Sequence, residues 1–557
     1  MKMRSALRTV ALAIGSAWTV AFVLARPAAP VAAVATTYHE PGELFAHSDN
    51  CVACHNNLVT ATGEDASIGT TWRSTMMANS GRDPYWQASV RRETLDHPTK
   101  SADIQDECAT CHMPMLQRTA HASNAKADVF AHLPGNAEAS SDLGRLAADG
   151  VSCTVCHQIA GETLGTRASF NGNFVMKSPR PDGVREIFGR FAVDPGRRTI
   201  MRSVSGFEQV EAPHVKQSEL CASCHTLITE AFGPNGQVVG SLPEQMNFQE
   251  WQHSAFYQEQ KSCQSCHMPR VDGPIRVSSV LGDPRDGLSR HVFVGGNAFM
   301  VRMLNRFREE LGVEALPSEL EATARATERQ LERDTATLAV ESPTFEGTRL
   351  TFNVNVRNLT GHKFPTGYPA RRTWLHVTVR DADGRTVFES GGVTSTGAIK
   401  GNDNDADAAR FEPHYDRIAS ADDVQIYESI LGDVNGRVTT GLLKATQYLK
   451  DNRLLPRGFD KATADPMIAV HGAALGDGSF TGGGDRTRYE IDVPAGSRSL
   501  EIDVELLFQP IGYRWAHNLD AYDAPEPKRF VGYYKATSSS TSVVVSRSSQ
   551  RVTSGGQ

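Results

Sequence analysis

Every cysteine in this 557-residue chain belongs to one repeated pattern. Cys51-Val-Ala-Cys54-His55, Cys108-Ala-Thr-Cys111-His112, Cys153-Thr-Val-Cys156-His157, Cys221-Ala-Ser-Cys224-His225 and Cys263-Gln-Ser-Cys266-His267 account for all ten. Two thiols at this spacing add across the two vinyl groups of a haem, and the next histidine presents its imidazole to the iron on the proximal side. Five repeats therefore predict five covalently attached haem c groups. Zinc fits poorly: it takes four ligands, so five CxxC pairs leave one over, and it gives no role to a histidine after every pair. A disulfide framework seldom confines all its cysteines to CxxC pairs.

Residues 1–35 read as an export signal. Lys2, Arg4 and Arg8 make a positive start, Thr9 to Leu24 is apolar, and Ala33-Val34-Ala35 offers a small-x-small cleavage site. The apolar stretch is short of the roughly 20 residues that a spanning helix needs. The expectation is a mature protein without a membrane span, periplasmic or extracellular, which suits a haem attachment that needs reduced thiols after export. Losing the signal leaves 53 basic against 64 acidic residues, a formal charge of −11. That charge predicts redox partners with basic docking surfaces, and with no long Lys/Arg run it excludes a nucleic-acid partner.

The phrases Ser262-Cys-Gln-Ser-Cys-His-Met-Pro269, Trp72-Arg-Ser-Thr-Met-Met-Ala78 and Arg290-His-Val-Phe-Val-Gly-Gly-Asn297, with the repeated CxxCH, resemble the multihaem c-type cytochromes. Within them, the likeness is to the branch related to the tetrahaem electron carriers of nitrifying bacteria, and it covers roughly residues 40–300. It implies haems packed in a chain with mostly bis-histidine iron.

The sixth ligands must come from other residues. His97, His214, His253 and His291 occupy stretches comparable to those that carry distal ligands in the related cytochromes. His39 and His47 are weaker candidates. Where relatives place histidine after Trp-x-x-Ser-x, this chain has Met76, which reads either as a thioether ligand that raises a haem potential or as flexible packing. His362, in Thr360-Gly-His-Lys-Phe-Pro-Thr-Gly-Tyr-Pro369, stands in a Gly/Pro-shaped loop after a strand. A similar phrase occurs in sandwich domains fused to multihaem cytochromes, which makes His362 a further distal candidate.

The expected fold class is α+β. A loop-rich helical pentahaem domain spans residues 36–310, where porphyrins replace an ordinary core, and a linking helix follows over 311–337 with a capping box at Ser318 to Glu321. Beyond it the hydrophobic period becomes two, as in Leu350-Thr-Phe-Asn-Val-Asn-Val356, and predicts an antiparallel β-sandwich over 338–534. Residues 535–557, rich in Ser and Thr, read as a flexible tail. Asp403 to Asp407 lacks the glycine and bidentate glutamate of a calcium loop and reads as solvated. These features predict an electron carrier. The alternatives are a multihaem oxidoreductase with one open iron acting on a small nitrogen or sulfur compound, and a subunit of a conducting filament.

Overall fold

The computed structural model describes residues 43–554. The signal segment and His39 lie outside the described residues. Helices and loops dominate up to residue 334. Strands there are few: a parallel pair, Arg185–Gly189 with Phe207–Glu211, and the hairpin β1 (Thr226–Phe232) and β2 (Val238–Met246).

The motifs sit on short helices for a geometric reason. Residues i, i+3 and i+4 share one helical face, so each CxxCH turns two thiols and an imidazole the same way. Cys108 to His112 end the helix α1 (Ser101–His112), and Cys221 to His225 end α2 (Ser218–His225). The expected linking helix is α3 (Pro317–Asp334), but its cap differs from the expectation. The helix begins two residues earlier, and the Glu319 carboxylate accepts the Leu316 N–H at 2.9 Å. Leucine has no side-chain acceptor to return the bond. Glu321, assigned to the cap from sequence, instead pairs with Arg302 and Arg325.

After α3 come β3 (Ala336–Glu346), β4 (Arg349–Asn358), β5 (Arg372–Asp381), β6 (Ile426–Asp433), β7 (Gly484–Asp492), β8 (Ser499–Gln509) and β9 (Val543–Thr553). β3, β4 and β7 pair antiparallel in one sheet, and β6, β5, β8 and β9 follow one another in another. Alternate residues point inward, as the period of two requires. Phe352, Val354 and Val356 of β4 share a core with Leu375 and Val377 of β5 and Ile502 and Val504 of β8.

Two expectations need correction. The Ser/Thr-rich end is not a loose tail, because helix Pro525–Thr537 packs on the core and β9 pairs along β8 from Phe508 opposite Val543 to Ser499 opposite Thr553. Its polarity reflects an edge strand with one solvated face, and Val545 alone in it is fully buried. The acidic loop is solvated only in part, with Asp407 exposed and Asp403 half-buried. Asp405 is buried and holds the Arg372 guanidinium through two 2.8 Å bonds, a geometry that fixes both side chains.

Candidate cofactor-binding site

All ten cysteines and all five motif histidines line a single cavity of about 1650 Å³. That exceeds the roughly 300–1000 Å³ of a site for one small molecule. None of the ten forms a disulfide. The motifs are neighbours in an order that differs from the sequence. Cys51 lies beside Cys153, Cys156 near Cys224, Cys111 beside Cys224, and Cys221 beside Cys263. The fourth motif is thus a hub next to the second, third and fifth, and the first joins through the third.

Four of the five motif imidazoles are held in one tautomer. A carbonyl only accepts, so the Nδ1–H of His55 donates to Val277 at 2.7 Å, that of His157 to Phe188 at 2.6 Å and that of His112 to Ser80 at 3.3 Å. Each bond leaves Nε2 with a lone pair for a metal and fixes the orientation of the ring. Burial lowers His112 and His225 to about 4, and His157 and His267 are lowered by burial as well. These rings are neutral at pH 7, which is the ligating form.

Two imidazoles from elsewhere enter the same cavity. His291 faces His157 with ring centres 6.4 Å apart and planes within 26°, and His362 faces His267 at 6.3 Å and 11°. Two bonds of about 2 Å, as imidazole makes to a first-row metal, plus about 1 Å from each nitrogen to its ring centre, span about 6 Å. The rings are therefore spaced to hold one metal between each pair. Burial takes His291 and His362 down to about 4 as well.

The other candidates stand off this wall. His214 gives Nε2 to the Ile159 carbonyl at 2.8 Å. His253 bonds Gln249 within its own helical turn and lies against Phe459. His97 is buried against Phe232, its Nε2 without a partner. His47 lies between Asp49 and Asp149, at 3.3 and 3.4 Å. Met76 does line the cavity, packed with the apolar cluster around Tyr85 and Met300.

Residues that the sequence did not flag complete the site. The His362 loop is tied down by Glu250, whose carboxylate accepts the Lys363 N–H at 3.2 Å and the Thr366 hydroxyl at 2.5 Å. Lys363, fully buried, donates to Asp451 at 2.7 Å, and Arg453 binds the same carboxylate. Burial alone would raise the Asp451 carboxyl, but Arg453 and Lys363 outweigh it and hold it well below the usual carboxylate range. That contribution to stability is present above the pKa of an unfolded aspartate, about 4, and is lost as the pH falls toward the folded value. Asp451→Asn leaves the buried Lys363 without its carboxylate, while Arg453 keeps Glu250 at 3.0 Å, and is expected to cost about 3–5 kcal/mol, read as a lower thermal midpoint of the holoprotein.

Arg371 is a half-buried guanidinium on the cavity wall. It donates to the Thr366 carbonyl at 2.7 Å and has no carboxylate partner among the described residues. A cation partly withdrawn from water is stabilised by an anion, and haem propionates would supply one. The cavity, the free thiols, the neutral imidazoles and this guanidinium together fit haem.

A second group of ligand-type atoms does not fit a metal. His414, Asp477 and Asp485 bring theirs within 4.8 Å of one another. Gln425 Oε1 accepts from Tyr415 N–H and Asn452 Oδ1 from Glu428 N–H, so both amides turn their NH₂ to His414 Nδ1, at 3.1 and 3.0 Å. The ring proton must then sit on Nε2, which donates to Asp477 at 3.0 Å and cannot ligate.

No protein-family model matches the chain, and no curated protein matches it in sequence. Among solved structures, a penta-haem cytochrome c552 from Thermochromatium tepidum has a similar fold, with a TM-score of 0.50 at 16% identity over 92% of this chain and 100% of that one. The described residues thus form a mixed α+β fold of the multihaem-cytochrome kind.

Proposed function

We propose that the chain is a pentahaem c-type cytochrome that carries electrons between redox partners outside the cytoplasm. The observation that supports this best is the single cavity lined by all fifteen motif side chains, with each motif beside another. Bound haem supplies reversible one-electron chemistry at iron. The protein's part is ligation, spacing and electrostatics. Cysteines of the five motifs would anchor the groups, and His55, His112, His157, His225 and His267 would ligate the irons. His291 and His362 would supply second imidazoles where they face His157 and His267. Arg371 balances propionate charge, and the His362 loop lets the two-sheet region, read as a sandwich, close the fifth haem site. An acidic mature surface favours transient docking on basic partners that weakens with salt.

The hub arrangement yields a test. Cys221→Ala/Cys224→Ala removes the attachment at the fourth motif and is expected to reduce the haem count from five to four. Stopped-flow reduction by a small donor should then split into separate phases, because the first and third motifs lose their neighbour to the second and fifth. The matching change at Cys263 and Cys266, at an end of the arrangement, should leave a single phase. Equal kinetics in the two variants would remove the relay reading.

A further inference from the structure

The segments that hold the facing rings of His157 and His291 also carry arginines that no carboxylate balances. Phe188, whose carbonyl accepts from His157, stands two residues before Arg190, and Ser289, whose carbonyl accepts from His291 at 3.0 Å, pairs with Arg270 across an antiparallel bridge. Arg190 donates to the Gly287 carbonyl and Arg285 to the Ala192 carbonyl at 2.5 Å, so each ties its own segment to the other. Their guanidinium carbons lie 5.0 and 5.5 Å from the centre of the Phe191 ring, a favourable place for a cation. Arg190, Phe191, Arg270 and Arg285 all line the cavity.

Like charges gathered at one place oppose one another. Burial, and after it the charge of Arg270, lower the pKa of the Arg190 guanidinium. Acids stand close by, yet they pair with other arginines: Asp194 and Asp283 with Arg197, and Glu64 with Arg290. Among the described residues none of the three has a carboxylate within ion-pair distance, and the bonds of Arg190 and Arg285 go to main-chain carbonyls. Arg190 Nε is buried with no acceptor, and a buried N–H calls for one.

We infer that Arg190, Arg270 and Arg285 form a carboxylate-binding site on this wall, and that it takes the propionates of the haem attached at Cys153 and Cys156, whose iron His157 and His291 share. The site rests on the haem reading above and deepens it, because it names the charges that tune one haem of the chain. A cation near a haem opposes the added positive charge of oxidised iron, so these guanidiniums favour the electron at the third motif.

The test is a potentiometric titration of the holoprotein followed by electron paramagnetic resonance. The low-spin signal that His291→Ala removes marks the third-motif iron. In Arg190→Gln/Arg285→Gln that signal should persist, with the ratio of reduced to oxidised iron at a fixed potential about tenfold lower, a shift of about 59 mV. Arg190→Lys/Arg285→Lys, which keeps both charges, should stay within about twofold of the parent. Arg270→Gln, at an exposed side chain that spares the cross-segment bonds, should lower the ratio by about threefold, since solvent screens its charge. Arg276→Gln, at an exposed arginine off the cavity wall, removes the same charge and should shift nothing. An unchanged ratio in Arg270→Gln and in the double glutamine variant would overturn the site, as would an equal shift of all five irons or a like shift in Arg276→Gln. A wild-type potential that moves on adding citrate at constant ionic strength would overturn the propionate as occupant, since the guanidiniums would then be open to dissolved carboxylate. A pyridine haemochrome count and peptide mass map are run alongside. Unmodified Cys153 and Cys156 in the wild type would instead overturn the haem reading of that motif, and the site with it.

Discussion

Replacing His362 with alanine is expected to leave five attached haems and turn one of the five irons high-spin. The substitution removes a distal imidazole without touching any CxxCH residue. His362 and His267 are held 6.3 Å apart by opposite ends of their surroundings: Val294 accepts from His267, while Glu250 and the Lys363–Asp451 pair hold the loop of His362. Added imidazole should restore the low-spin signal, which a merely structural defect would not permit. His362→Met should keep that iron six-coordinate and raise its potential, because a thioether favours the reduced state relative to imidazole. His291→Ala should give the same result at the third motif. His214→Ala and His253→Ala should leave all five irons as they are, since neither ring lines the cavity. Five low-spin irons in His362→Ala would refute the assignment.

A chain made without haem attachment is expected not to reach this fold. Keeping 1650 Å³ open, at about 24 cal/mol per Å³ of cavity, would cost about 40 kcal/mol, against a total stability of about 5–15 kcal/mol for an ordinary domain. Even a twofold overestimate, about 20 kcal/mol, leaves the balance against folding. The two-sheet region has a side-chain core of its own in Val354, Leu375, Val377 and Val504, so its strands should survive better than the helices around the motifs. Expression without the haem-attachment machinery should give a protease-sensitive N-terminal half, measured by limited proteolysis and circular dichroism. A cooperative unfolding transition equal to that of the holoprotein would contradict the argument.

The placement of the distal ligands shows where local reading stops. His214 and His253 each lead into a motif, yet nearness along the chain does not bring either into the cavity. The rings that face motif histidines come from far away: His291 lies 134 residues after His157, and His362 lies 95 after His267. His362 was legible only because Gly361 and Pro365 marked a shaped loop. Nothing local marks Glu250, Arg371 or Arg190, since an isolated acid or base beside an apolar run has the same appearance on any surface. The Ser/Thr-rich end misled for a related reason. Composition describes how a segment meets water, and an edge strand meets water along one face while it pairs along the other.

By itself the sequence determined the attachment chemistry and the local elements. CxxCH spacing puts two thiols and an imidazole on one helical turn, and alternation in segments such as 350–356 can bury one face only as a strand; both are short-range consequences of backbone geometry. The tertiary structure alone decided which motifs are neighbours, which imidazoles oppose each other and which buried charges line the cavity. These depend on where segments some hundred residues apart come to pack, and a ligand held at about 6 Å from its partner ring is a property of that packing, absent from any window of the chain.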